Sequence, residues 1–195
     1  IDLKRRIYME KDNIDNNQPV RINKYLSDAG ICSRREADRL LEQGQIYVNG
    51  KKAVLGQKIF LEDVIEYKGK KISRENELIL LAFNKPRGIV CSTVDKEGLS
   101  IVKYINYNKR IYPIGRLDKE SEGLILLTND GEFSYRMTHP KFQIKKTYLA
   151  TVQGVLTPER VAMLEQGVML EDGMTSPAKV EIVKKEKHKT VVKIT

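Results

Sequence analysis

Two cysteines and two histidines are all that this 195-residue chain offers of the residues that build disulfide frameworks and zinc sites. Cys32 and Cys91 are far apart and no CxxC pair occurs, so neither a disulfide-stapled fold nor a structural zinc site is expected. The simple inference is a reducing, cytoplasmic location and no bound metal. Cys32 stands beside an expected helix N-terminus, which lowers a thiol pKa, but a small packed side chain is the favoured reading. Long apolar runs are also missing. The longest, Leu78 to Phe83, has six residues, whereas a membrane helix needs about twenty. The opening residues, including Lys4, Arg5, Arg6, Glu10 and Asp12, lack the apolar centre of a signal peptide. With no initiator Met, the chain reads as trimmed.

Acidic side chains are outnumbered, 26 against 35 basic ones, giving a net charge of +9. That surplus favours polyanionic partners, nucleic acid ahead of a membrane surface, although it also suits a merely soluble surface. Hydrophobic residues at 41% and charged residues at 31% describe a folded chain with a core.

Residues 1–18 read as a polar, flexible N-terminal arm closed by Asn16-Asn17-Gln18-Pro19. From Val20, Ile22, Tyr25, Leu26 and Ala29 recur at helical spacing and Gly30 ends the run. Ser33-Arg34-Arg35-Glu36 has the form of a capping box, opening a second helix with Ala37, Leu40 and Leu41 inward. Ile46-Tyr47-Val48, the Asn49-Gly50 turn and the segments around Val64–Tyr67 and Lys71 predict a small sheet. A domain over 19–72, a linker over 73–77 and a second domain over 78–195 follow. In that second domain, strands are expected at Leu78–Phe83, Ile89–Thr93, Gly123–Thr128, Thr147–Val152, Ala178–Val183 and Thr190–Ile194. Helical segments are expected at Leu99–Ile105, after Asn129-Asp130-Gly131 and after Thr157-Pro158. Strands and helices mix without steady alternation, which predicts α+β. The last strand runs to Thr195 without a cap, and the sequence is expected to continue beyond it.

Two segments carry candidate chemistry. Arg34, Arg35 and Arg39, with Lys24 on the preceding helix, can form one positive face suited to phosphate through guanidinium pairing and the helix dipole. On pattern alone an ordinary solvated face, with Glu36, Asp38 and Glu42 interspersed, is the stronger reading. In the second segment, Gly115-Arg116-Leu117-Asp118 leads through Ser121 to Gly123, two apolar stretches flanking a loop with one central Asp. Gly and Ser let backbone approach a ligand closely, and Arg116 stands where it can favour an ionised Asp118. The rival is a surface turn in which Asp118 merely accepts backbone N–H bonds. Lys85 and Arg87 fall in a loop, where solvated charge is the plain reading. His139 reads as a turn residue and Asp130 as a helix cap.

Arg21-Ile22-Asn23-Lys24-Tyr25-Leu26, Gly30-Ile31-Cys32-Ser33-Arg34-Arg35-Glu36-Ala37 and Gly44 to Gly50 resemble the RNA-binding domain shared with a small-subunit ribosomal protein, the S-four domain. The resemblance implies binding to structured RNA through the paired helices, by shape and phosphate position. Gly-Arg-Leu-Asp, then Ser121, Gly123-Leu124 and an apolar run ending Thr128-Asn129-Asp130-Gly131, is similar to the signature loop of the pseudouridine synthases. Asn84-Lys85-Pro86 with Gly88-Ile89-Val90, and Lys146-Thr147-Tyr148-Leu149, resemble two further motifs of the branch carrying an N-terminal S-four domain. Within that branch, the GICSRREAD and GRLDKESEGL segments look closest to the F subgroup, whose members act on 23S ribosomal RNA.

The resemblance implies a catalytic domain with a mostly antiparallel mixed sheet, a flexibly tethered small α/β-type RNA-binding domain, and isomerisation of uridine to pseudouridine. Asp118 attacks C1′ or takes a proton from C2′ of a uridine flipped out towards a buried carboxylate. Tyr148, which on its residues alone reads as a core strand aromatic, packs on the ring, Arg116 fills the vacated space or meets a phosphate, and Lys85 and Arg87 contact RNA. Nothing is oxidised and no group is added, so no cofactor is needed. Ribosomal RNA is the expected partner, transfer RNA stays open, and a monomer is the default. The family's third motif, with a basic residue that pairs with the catalytic Asp, is expected beyond Thr195. The rivals are a non-catalytic RNA-binding or ribosome-assembly protein, in which Asp118 is idle, and an aspartate-dependent hydrolase of small glycosides, which has no use for the arginine face.

Overall fold

The computed structural model describes the backbone of Arg5–Arg6 and residues 18–73, 77–95, 97–171 and 173–195. The remainder of the expected arm, and most of the expected linker, lie outside the described residues. The chain divides into two compact units, Ile1–Phe142 and Gln143–Thr195.

In the first unit, β1 (Arg5–Arg6) and β2 (Val20–Arg21) precede α1 (Ile22–Asp28) and α2 (Arg34–Glu42). The capping-box serine does what its position predicts: Ser33 Oγ accepts the Glu36 N–H at 3.2 Å. Apolar residues at i, i+3 and i+4 turn one face of α2 inward, so Ala37, Leu40 and Leu41 are buried. They pack with Ile22, Tyr25 and Leu26 of α1 and with Ile46, Val48, Ile59 and Ile65 from the strands that follow. Those strands are β3 (Ile46–Val48), β4 (Lys51–Lys52), β5 (Lys58–Ile59), β6 (Ile65–Tyr67) and β7 (Lys70–Lys71). They form an antiparallel sheet ordered β4-β3-β6-β7 and the pair β2-β5. Asn49 and Gly50 both take positive φ, 50° and 75°, as a two-residue hairpin turn requires. The two helices are also tied by Asn23 Nδ2, which donates to Asp38 Oδ1 at 2.9 Å.

The same unit continues with β8 (Leu80–Lys85), α3 (Ile101–Ile105), β9 (Tyr112–Ile114), β10 (Gly123–Thr128), α4 (Gly131–Thr138) and a 3-10 turn over Pro140–Phe142. Strand order is β1-β8-β10-β9, with every ladder antiparallel. Where a loose arm was expected, Arg5 and Arg6 pair with Ala82 and Leu81 at the sheet edge. The strand expected at Ile89–Thr93 is not formed; Val90 makes a single parallel bridge to Ser100. Ile79, Leu81, Ile89, Ile101, Ile105, Ile111, Ile125 and Leu127 make the core of this part. The end of β10 is locked to the start of β8 by side chains: Asn129 accepts the Ile79 N–H and donates to the Glu77 carbonyl, while Thr128 Oγ1 donates to the Ile79 carbonyl at 2.6 Å. Arg110 reaches α1, its Nη1 3.4 Å from Ser27 Oγ, and its guanidinium lies over the Tyr112 ring.

The second unit comprises β11 (Tyr148–Gln153), α5 (Pro158–Gln166), β12 (Met169–Leu170), β13 (Gly173–Met174), β14 (Val180–Lys185) and β15 (Lys189–Ile194). Its three-stranded sheet is ordered β11-β15-β14, again antiparallel, over a small core of Leu156, Val180 and Val192. Thr157 caps α5 by accepting the Arg160 N–H, and Pro158 occupies its first turn.

Candidate active site

The hairpin between β9 and β10 carries Asp118. Gly115 takes φ +75°, which turns the chain out of β9, and the Leu117 N–H then donates to Cys91 Sγ at 3.3 Å. Asp118 begins a turn closed by the Ser121 N–H donating to its carbonyl at 3.0 Å. Behind this turn sits Lys85, the last residue of β8, with no solvent exposure. Its Nζ donates to the carbonyls of Pro86 (2.9 Å), Lys119 (3.2 Å) and Ser121 (2.7 Å). An ammonium has three protons to donate, and three carbonyls satisfy it. A buried charge is tolerable only when its hydrogen bonds are complete, and here completing them fixes the loop that follows Asp118. The Gly88 N–H adds a further bond to the Lys119 carbonyl, at 2.8 Å. Lys85 and Gly123 are also paired across the β8–β10 ladder, so the loop's root and its clamp share one register.

Asp118 itself is exposed, and among the described residues its carboxylate makes no hydrogen bond or ion pair. The expectation of a buried aspartate is therefore corrected for this chain: the backbone around it is anchored while the side chain is left open. Arg116 is likewise exposed and makes no ion pair with Asp118. Lys85 was expected to meet RNA from a loop; it is instead wholly buried, so a surface contact is excluded in this structure. Arg87 remains exposed, its guanidinium 3.6 Å from Glu122. Tyr148 opens β11 opposite Ile194 and is 46% exposed. Asp118 and Arg116 belong to the first unit and Tyr148 to the second.

On α2, Arg34, Arg35 and Arg39 all point to solvent. Arg39 is partly engaged by Glu36 at 3.1 Å, and Lys24 by Asp28 at 2.7 Å, so that of these four cations Arg34 and Arg35 are the two without an ion pair among the described residues. Cys32 is half-buried, and burial raises its thiol pKa, with Arg110 opposing and Glu36 and Asp38 reinforcing the rise. The packed reading of Cys32 therefore holds over the activated one. Cys91, which holds the loop at the Leu117 N–H, carries no spacing that marks it in the sequence. Among the described residues, no group of three or more His, Cys, Asp or Glu is placed to hold a metal, and no helix is long and apolar enough to cross a membrane.

A paired-helix module with an arginine face precedes an antiparallel α+β body that presents Asp118 on a clamped loop, an arrangement suited to a polyanionic partner. Comparison with known proteins agrees. Residues 79–195 match the family model of RNA pseudouridylate synthase, and residues 20–65 match that of the S4 domain. The chain belongs to the RNA pseudouridylate synthase family. It is 42% identical over 180 residues to the ribosomal large subunit pseudouridine synthase B of Bacillus subtilis (strain 168), covering 90% of this chain and 73% of that one. It is 46% identical over 164 residues to the dual-specificity RNA pseudouridine synthase RluF of Escherichia coli (strain K12), covering 83% of this chain and 57% of that protein. The chain thus spans little more than half the length of the latter. A crystal structure of a pseudouridylate synthase superposes with a TM-score of 0.56 at 29% identity, covering 90% of this chain and 76% of its own.

Proposed function

We propose that this chain isomerises uridine to pseudouridine in ribosomal RNA of the large subunit, with Asp118 as the catalytic group and the S4 domain as a docking module. The observation that carries the reading is the Asp118 carboxylate, exposed and unpaired among the described residues, on a loop whose backbone is bound at the Lys119 and Ser121 carbonyls by the buried Lys85 ammonium. The Bacillus subtilis relative, named for the ribosomal large subunit, supports the choice of substrate.

In the reaction the N1–C1′ bond breaks, the base turns, C5 bonds to C1′ and C5 loses its proton. An ionised carboxylate serves either by attacking C1′, as in a retaining glycosidase, or by removing the C2′ proton to give a glycal. The departing base returns as the nucleophile, so no water and no second carboxylate are needed to finish the reaction. The target base must first leave its stack, and a side chain at the tip of a hairpin can reach such a nucleotide. Tyr148 is assigned to the flipped ring and Arg116 to the space it leaves or to a neighbouring phosphate. Arg34, Arg35 and Arg39, with Lys24, are assigned to the phosphates of folded RNA, and Arg87 to RNA near the target.

The test is tritium release from C5-labelled uridine in a 23S RNA fragment, comparing the parent protein with Asp118→Asn. Release by the parent and none by the variant supports the assignment. Equal release by both would remove Asp118 from the chemistry, and no release by either, with RNA binding intact, would favour a binding protein.

A further inference from the structure

Helix α4 and the 3-10 turn after it contain no buried residue, yet Tyr135 of the helix, Phe142 of the turn and His139 between them pack their rings on one another at the surface. The Tyr135 and His139 rings lie 4.7 Å apart, those of Tyr135 and Phe142 5.8 Å apart and perpendicular, and those of His139 and Phe142 6.5 Å apart. Tyr135 is 40% and Phe142 38% exposed, and neither joins a hydrophobic core cluster of the described residues. Lys141 brings its ammonium to 5.0 Å from the Tyr135 ring centroid and 4.7 Å from that of Phe142, and makes no ion pair among the described residues. The group adjoins the catalytic hairpin: a Cβ placed on Gly115 would stand 3.9 Å from Thr138 Cγ2, at the end of α4.

We propose that Tyr135, His139, Phe142 and Lys141 form a binding platform for an unpaired RNA nucleotide next to the target uridine. Core aromatics would be covered, and solubility alone gives no reason for three rings in one exposed group. A base needs a π-face and its phosphate needs a cation, and this group offers both at the foot of the Asp118 loop. The chain's positive balance suits the same partner. The inference rests on the RNA-modifying reading above and adds to it a contact outside the reacting base.

The test is ultraviolet cross-linking of the full chain carrying Asp118→Asn to 23S RNA fragments, with mass spectrometry of the peptide over 131–142. Alongside it, RNA affinity is measured for Tyr135→Leu and Tyr135→Phe in the same background. A nucleotide attached to Tyr135, His139 or Phe142, with binding weakened on the order of tenfold by Tyr135→Leu and unchanged by Tyr135→Phe, is expected. No cross-link together with unchanged affinity for Tyr135→Leu overturns the proposal. If Tyr135→Leu fails to fold, Lys141→Gln decides, since that side chain is exposed: unchanged affinity and salt dependence overturn the proposal. Self-association of the parent that Tyr135→Leu abolishes, without a cross-link, would assign the rings to a second copy and also overturn it. Tritium release by the protein with native Asp118 is scored separately. A cross-link without release on any RNA keeps the platform and sinks the enzyme reading, whereas release without a cross-link, and with affinity unchanged by Tyr135→Leu, does the reverse.

Discussion

The Nζ of Lys85 donates to the carbonyl of Ser121 at 2.7 Å, reaching from the end of one strand to the loop that carries Asp118. With the bonds to Pro86 and Lys119, this makes Lys85 a positioning residue that holds the loop from behind. Lys85→Met keeps most of the volume and removes the donors, leaving the part-buried Pro86 and Ser121 carbonyls without this partner while the Lys119 carbonyl keeps the Gly88 N–H. The expected cost is roughly 2–4 kcal/mol in urea unfolding. Turnover is expected to fall on the order of 100-fold, because small displacements of a reacting group are expensive, while RNA affinity stays within about twofold. A variant that lost RNA binding and kept kcat would return Lys85 to the RNA surface.

Asp118→Asn is the complementary case. The side chain is exposed and unpaired among the described residues, so its replacement by an isostere removes no internal contact. Thermal unfolding should be unchanged and RNA affinity retained, with tritium release abolished. Measurable release by the purified variant would remove Asp118 from the catalytic step.

The sequence revealed most where local chemistry is strongest. Ser33, Asn49-Gly50, Asp130 and Thr157-Pro158 mark caps and turns through local chemistry, and the structure puts each to that use, although the Glu36 carboxylate of the expected capping box turns to Arg39 instead. It misled where fate depends on distant partners. Lys85 reads as a loop lysine, since nothing nearby announces that the carbonyls of Lys119 and Ser121 will enclose it. Ile89–Thr93 reads as a strand by its apolar content, but only Val90 finds a partner, at Ser100. Cys91 gave no signal at all, because its role at the Leu117 N–H exists only once β9 has been brought beside it.

The arginine face should separate into unequal members. Arg34 and Arg35 are exposed without ion pairs among the described residues, while Arg39 is already shared with Glu36. Arg34→Gln and Arg35→Gln are each expected to weaken binding to folded RNA uniformly across sequences and to reduce the slope of log K against log salt by about one. Arg39→Gln should change the slope less, since its charge is partly neutralised before RNA arrives. Equal slopes in all three variants and the parent would remove α2 from the RNA interface. Activity on RNA fragments should track these affinities through KM, with kcat unmoved.

Tyr112 supplies a pH prediction for the seam between α1 and β9. Burial, reinforced by the negative charge of Asp28 and opposed by Arg110, pushes its phenol from 10.0 up to about 12. The folded state therefore holds this proton more tightly than the unfolded chain does. Its contribution to stability is complete below pH 10 and is lost as pH rises towards 12. Urea unfolding measured across that window should show the parent losing stability more steeply than Tyr112→Phe, which has no proton to lose. The two proteins should run parallel below pH 9, about one unit under the ordinary phenol value. Parallel curves throughout would mean that the Tyr112 hydroxyl is open to water and that the contact between Arg110 and Ser27 does not close the seam around it.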